Sequence, residues 1–289
     1  MDKAVIFNKI EQIQNLPTLP AVIGRLNKAI EDRNANAEMV SKIIQDDPAM
    51  MARILRVVNS AFYGVSQPVA SIQQAVSLLG FIAVKNIAMT TSAFSAFSIK
   101  EQTDFNREEF WRHSICVGIA TSVLYRSSKG RLQQPIAPDL LHLAGLVHGI
   151  GIIIFEQYFR IKFMVALLLS QKEGIPLQQT EEAALGVDHC EVGAWLGGKW
   201  NLPPEVVECI RWHQEPEKSD PKCRPLVNLC HTAKYICTLE QLGNYGDTVP
   251  VFKQYAWQDL GLSVKDIPGI VNAIKEESIK SEILLALAK

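Results

Sequence analysis

The hydrophobic pattern of this chain is helical almost throughout. Lys3 to Gln14 sets Val5, Ile6, Ile10 and Ile13 on one side, and Ala21 to Ile30 repeats the stripe with Val22, Ile23, Leu26 and Ile30. Between them Leu16-Pro17-Thr18-Leu19-Pro20 predicts an extended linker, because each proline fixes its own φ and steers the preceding residue away from the helix. Ala37 to Gln45 presents Met39, Val40, Ile43 and Ile44 on one side. Asp46-Asp47-Pro48 then starts a helix by its chemistry. Asp47 can accept from free backbone N–H groups, and Pro48 suits a first position where no N–H is needed. That helix runs to about Asn59, and Ser60-Ala61-Phe62-Tyr63-Gly64 breaks it. Ser71 caps a helix reaching Leu79, Gly80 ends it, and Phe81 to about Phe97 forms the next.

Ser98 to Asp104 is the first polar stretch of any length, and it predicts the domain boundary. Residues 1–102 then form an N-terminal subdomain of six short helices, and residues 103–289 a second helical domain. The second part opens with a long helix, Asn106 to Ser127. Further helices are expected at Tyr158 to Lys172, from Thr180 to a break at Gly186, at His189 to Trp200 and at Pro204 to His213. Pro225 to about Leu242, Val264 to Glu277 and Ser281 to Ala288 complete the chain. No alternation is long enough for a sheet, so the fold class is all-α.

The most apolar run, Leu140 to Phe155, contains only two histidines and three glycines besides apolar side chains. A helix apolar all round has to be buried on every side. His142 and His148 are six residues apart, roughly 120° around a helix at about 100° per residue, so they cannot share a site. His148, flanked by Gly145 and Gly149, is the better candidate for a pocket, since glycine lets a backbone or ligand come close. Its partners would be His113, His189 and His213, which lie near helix ends or on short helices.

Composition narrows the chemistry further. The 289 residues are 48% hydrophobic, with 29 basic and 30 acidic residues and no basic block, so nothing marks a nucleic-acid partner. The charged N-terminus is not expected to serve as a signal peptide, and runs such as Phe163 to Leu169 are far shorter than the ~20 residues of a bilayer span. A cytoplasmic location without a membrane partner follows as the expectation. Six cysteines without a Cys-x-x-Cys pair fit reduced thiols, and Cys223, Cys230 and Cys237, seven apart, fit one packed helix face.

Several longer motifs then occur in order. Leu-Pro-Thr-Leu-Pro, Asp-Asp-Pro-Ala, Val-Asn-Ser-Ala-Phe-Tyr-Gly and Ser-Leu-Leu-Gly are followed by Val-His-Gly-Ile-Gly, Leu-Gly-Val-Asp-His-Cys-Glu-Val-Gly-Ala and Ile-Arg-Trp-His-Gln-Glu-Pro. This series resembles the HDOD family, the HD-related output domains of bacterial signalling proteins, over most of the chain. The resemblance implies a degenerate HD-like helical domain at 103–289. In HD phosphohydrolases a His-Asp doublet, other histidines and a late Asp hold one or two metals that activate water. Here the doublet falls on His148-Gly149, Lys234 stands where the last acid would be, and His113, His189 and His213 match histidine positions.

Without those carboxylates a pair of cations lacks its bridging oxygens, and a lysine ammonium repels a metal unless it turns outward or loses its proton. Three readings of the pocket stand open. The histidines pair with carbonyls and waters and do nothing further; or His113, His148, His189 and His213 bind a single Zn, Fe or Ni ion; or Lys234 makes an anion site. The resemblance implies a non-catalytic regulatory module acting on a signalling protein partner. The rival is a metal-dependent phosphohydrolase in which Asp188 or Glu191 supplies the missing acid, although both fit capping positions at a helix start.

Overall fold

The computed structural model describes residues 3–13, 21–31, 36–59, 65–97, 104–128, 131–132, 135–248 and 250–280. Among them are helices and no strand, as the hydrophobic pattern requires. The chain divides into two compact units, residues 1–16 with 101–278 and residues 17–100 with 279–289. The first helix, α1 (Lys3–Glu11), therefore belongs to the later unit and not to a subdomain of residues 1–102. Ile6 and Ile10 are buried, the Phe7 ring meets Trp195 at 6.2 Å, and Lys3 pairs with Glu191 at 2.5 Å. An apolar stripe shows that a helix has a covered face, but not which elements cover it.

The unit of residues 17–100 contains α2 (Ala21–Glu31), α3 (Ala37–Gln45), α4 (Pro48–Val58), α5 (Ile72–Leu79) and α6 (Phe81–Ala96). Asp47 accepts from the Met50 N–H at 2.9 Å and Ser71 from the Gln74 N–H at 3.2 Å, which gives α4 and α5 the expected N-caps. The break at Ser60 to Gly64 and the linker Leu16 to Pro20 lie outside the described residues, as do the polar boundary Ser98 to Thr103 and the terminal helix from Ser281. Asn59 nevertheless secures the two sides of that break. Its side chain donates to the Val69 carbonyl at 2.8 Å and accepts from the Val69 N–H at 2.7 Å.

The other unit continues with α7 (Arg107–Ser127), α8 (Pro138–Val147), α9 (Ile150–Tyr158), α10 (Arg160–Glu173), α11 (Leu177–Leu185) and α12 (His189–Lys199). It ends with α13 (Pro204–Trp212), α14 (Arg224–Leu239), α15 (Gln254–Asp259) and α16 (Ile267–Lys280). The apolar run expected as one helix is two, α8 and α9, separated at His148-Gly149. Leu140–Tyr158 is long and apolar enough to cross a membrane by length and composition, yet it is 83% buried within the fold.

Glycines bring the helices that carry the site together. A Cβ on Gly145 would stand 2.6 Å from the Gly118 Cα, so α7 and α8 touch through their backbones. A Cβ on Gly151 would stand 2.0 Å from the His189 carbonyl oxygen, so α9 holds the start of α12 in backbone contact. Side chains at either position would push those helices apart and move the histidines with them.

Candidate functional site

Four histidines line up inside the unit of residues 1–16 and 101–278. His113 projects from α7, His148 sits at the break between α8 and α9, His189 is the first residue of α12, and His213 caps α13. Ring centroids are 5.8 Å apart for His113 and His148, 4.9 Å for His148 and His213, and 5.7 Å for His213 and His189. All four rings are buried. His142 does not join them: its Nδ1 lies 2.9 Å from where a Gly118 Cβ would be, on the α7 side of α8.

Each imidazole is oriented through the same atom. Nδ1 of His113 faces the Leu242 carbonyl at 3.2 Å, that of His148 the Gly145 carbonyl at 2.6 Å, and that of His213 the Ile210 carbonyl at 3.0 Å. Nδ1 of His189 faces Glu181 Oε2 at 2.5 Å, and the same oxygen accepts the His189 backbone N–H at 2.9 Å. A carbonyl or carboxylate oxygen can only accept, so Nδ1 carries the proton in all four rings. In a neutral ring the lone pair is then on Nε2. Nε2 of His113 and of His189 is buried without a hydrogen-bond partner.

Burial sets most of the protonation states. It pushes His113 down to about 4, helped by the nearby Lys234, and holds His148 and His213 well below the usual imidazole range together with their charged neighbours. His189 goes the other way: burial opposes its charged form, but the Glu181 carboxylate against Nδ1 raises its proton affinity. Burial raises Glu181 itself.

Lys234, on α14, is 1% exposed and neither turns outward nor stands alone. Its Nζ forms an ion pair with Asp247 Oδ2 at 3.0 Å. Tyr245 donates its hydroxyl to the same Asp247 oxygen at 2.9 Å. Burial works against the Asp247 carboxylate, but Lys234 and these donors hold it below the ordinary range. The loop that carries Asp247 lies on α7 because Gly243, with φ +78°, leaves no room for a side chain: a Cβ there would come within 2.3 Å of the His113 nitrogen. Glu109 accepts from the Asn244 N–H at 2.9 Å and fixes the same loop.

The structure thus adds two buried carboxylates, Glu181 and Asp247, that the pattern of the chain does not announce. Glu181 occupies a buried position of α11 beside Leu177, Thr180 and Leu185, a stripe that could have flagged it. Asp247 follows Asn-Tyr-Gly and reads as an ordinary turn residue, with no signal at all. The two acids considered from the sequence are engaged elsewhere. Asp188 accepts from the Glu191 N–H at 2.9 Å as the cap of α12, and Glu191 pairs with Lys3. His231 was not a site candidate, and it acts as a fastener between its Nδ1–H to the His213 carbonyl, at 2.8 Å, and the Lys253 N–H, at 3.2 Å.

A bridged pair of cations does not fit these residues. Gly149 has no side chain, and a Cβ there would already stand 3.3 Å from the Phe110 ring. Glu181 supports His189 from behind, and Asp247 is neutralised by Lys234. The rings are anchored through Nδ1 in the way that metal-ligating histidines are, an arrangement whose chemistry suits one imidazole-preferring ion better than a bridged pair.

Comparison with known proteins agrees with this architecture. The family model for the HDOD domain matches residues 16–216. An uncharacterized protein of Treponema pallidum (strain Nichols) is 25% identical over 218 residues, 75% of this chain and 41% of that one, so the chain spans less than half of that relative's length. An HDOD domain protein of unknown function from Geobacter sulfurreducens has a TM-score of 0.76 at 23% identity, over 95% of this chain and 97% of that one. A Marinobacter aquaeolei VT8 protein provisionally named for signal transduction has a TM-score of 0.80 at 24% identity, over 94% and 60%. A Shewanella amazonensis SB2B protein provisionally named a phosphohydrolase has a TM-score of 0.73 at 21% identity, over 98% of both chains. At these identities the structural likeness bears on the fold alone.

Proposed function

The chain belongs to the HDOD family, and from that premise we propose that it is a non-catalytic regulatory module of signal transduction that acts through a partner protein. The observation that carries this reading is the buried Lys234–Asp247 pair at 3.0 Å. Two-metal hydrolysis of a phosphoester needs free carboxylate oxygens between the cations, and here Lys234 already occupies Asp247 while Glu181 is engaged on the Nδ1 side of His189. Action by contact is supported by α10, where Ile161, Val165, Leu168 and Leu169 stand exposed within about 100° of one another around the helix, an apolar surface of the kind that marks interaction sites. The test is turnover of a generic phosphodiester and of a cyclic dinucleotide with added manganese. A rate at background is expected; turnover that disappears in His148→Ala or His189→Ala would overturn the proposal.

A second reading concerns the pocket's occupant and is compatible with the first. The shared Nδ1 anchoring favours one Zn, Fe or Ni ion held by imidazoles from the set His113, His148, His189 and His213. Such an ion would supply a Lewis acid or a ligand-sensing centre, while the chain's own residues hold the rings and burial keeps His113, His148 and His213 neutral. Elemental analysis of the purified protein should find near-stoichiometric transition metal, and its absence after metal supplementation would remove this reading.

A further inference from the structure

Among the described residues, the group of donor atoms close enough together to hold one ion is not the set of four imidazoles. It is His189, Cys190 and His213, whose ligand atoms lie within 4.8 Å of one another. We propose that Cys190 is a thiolate ligand which, with His189 and His213, makes a mixed nitrogen and sulfur site for one borderline-soft divalent ion of the zinc type. The proposal rests on the single-ion reading above and names its ligand set and metal class.

The geometry comes from two helix ends. His189 and Cys190 are the first two residues of α12, and Gly151 and Gly193 let α9 and α12 approach so closely that this end is held in place. His213, at the end of α13, stands opposite, with its Nε2 3.9 Å from the Cys190 sulfur. Around a tetrahedral zinc, a sulfur at about 2.3 Å and a nitrogen at about 2.0 Å lie roughly 3.5 Å from each other. The sulfur is also 4.0 Å from His213 Nδ1, so a turn of the Cys190 side chain that brings it in line with Nε2, with a few tenths of an ångström of approach, is what that pair needs. His148, whose ring is 4.9 Å from that of His213, is the neighbour available for a fourth position.

The orphaned atom supports a ligand there independently. His189 Nε2 is fully buried with no hydrogen-bond partner, while its other nitrogen is fixed by Glu181. An unpartnered buried ring nitrogen in a polar pocket is uncommon, and a carboxylate behind a histidine is the usual support of a metal ligand. Charge closes as well. The incoming ion displaces the thiol proton to solvent and bonds through the sulfur pair; thiolate and Glu181 then balance its two positive charges, and Lys234 and Asp247 balance each other. A thiolate also selects against magnesium, calcium and manganese.

The test uses the full chain stripped with a chelator and titrated with cobalt(II), a spectroscopic substitute for zinc. A thiolate-to-cobalt charge-transfer band in the near ultraviolet is expected, with four-coordinate visible bands, saturating at one equivalent. Cys190→Ser should abolish the charge-transfer band and weaken binding about tenfold or more, with the fold checked by circular dichroism. Serine variants of the other five cysteines, Cys116, Cys209, Cys223, Cys230 and Cys237, should each keep the band, and their retention carries the assignment if Cys190→Ser does not fold. Visible cobalt bands with no charge transfer would overturn the role of Cys190 and leave the single-ion reading standing. No cobalt spectrum at all would remove both.

Discussion

Replacing Asp247 by Asn is the most informative perturbation of this pocket. The Lys234 and Asp247 side chains are 1% and 5% exposed with 3.0 Å between charges, and at an effective dielectric of about 20 that separation is worth roughly 5 to 6 kcal/mol of attraction. Much of it offsets the cost of burying both ions, so the net value of the pair is small. Breaking it is another matter, because Asp247→Asn leaves an ammonium buried without a counter-charge, at a cost of about 3 to 5 kcal/mol. Lys234→Met should cost somewhat less, since the Tyr245 hydroxyl still donates to the carboxylate. The double variant, with both charges gone, should be more stable than Asp247→Asn alone, giving a coupling of at least about 2 kcal/mol. Tryptophan fluorescence during urea unfolding suits the measurement, because all five tryptophans lie in the unit of residues 1–16 and 101–278. The sign with pH follows from the lowered Asp247. Its contribution is complete above about 4, the ordinary carboxylate value, and is lost as pH falls through the lower folded value, so the Asn penalty must shrink in acid. Additive single effects, or an Asn penalty under about 1 kcal/mol at neutral pH, would refute the charged pair.

Other consequences are open to direct measurement. Gly151→Ala should destabilise the unit by about 3 kcal/mol or more, since its Cβ would meet the His189 carbonyl at 2.0 Å, whereas Gly149→Ala, facing a ring at 3.3 Å, should cost no more than about 1; equal costs in urea unfolding would contradict the backbone contact. His142 and His231, pushed down to about 4 chiefly by burial, should show no proton NMR titration between pH 5 and 8; because the folded state resists protonating them, they withdraw stability as pH falls from about 6.5 towards 4. Glu217 should titrate at about 2, since the Tyr255 hydroxyl and Lys253 outweigh the opposing effect of burial, and Tyr255→Phe should move it towards the ordinary value in a carbon-detected titration. A Glu217 value unchanged by that substitution would remove Tyr255 as the cause.

What the chain declares by itself is local. Apolar positions at helical spacing, Asp47 before Pro48, Ser71 before Ile72, and glycines at positions 80, 174 and 186 are each readable because a helix and its ends are decided by neighbours within one or two turns. The histidine positions were legible through a recurring series of motifs, and the separation of His142 from His148 through helical geometry alone. The break at His148-Gly149 was less so, since an unbroken apolar run carries no stop signal stronger than glycine, whose cost in a helix is only about 1 kcal/mol.

Tertiary structure decided the rest. Whether α1 packs with its sequence neighbours or with α12 depends on complementary surfaces distant in the chain. Asp247 faces Lys234 only because Gly243 lets a loop lie against α7, and Glu181 reaches His189 only because α11 and α12 meet at a turn. Charge pairing inside a pocket is a property of three-dimensional proximity, for which a one-dimensional pattern holds no record. The sequence therefore determined which side chains are available, and packing determined which are neutralised and which are left with an unpartnered ring nitrogen.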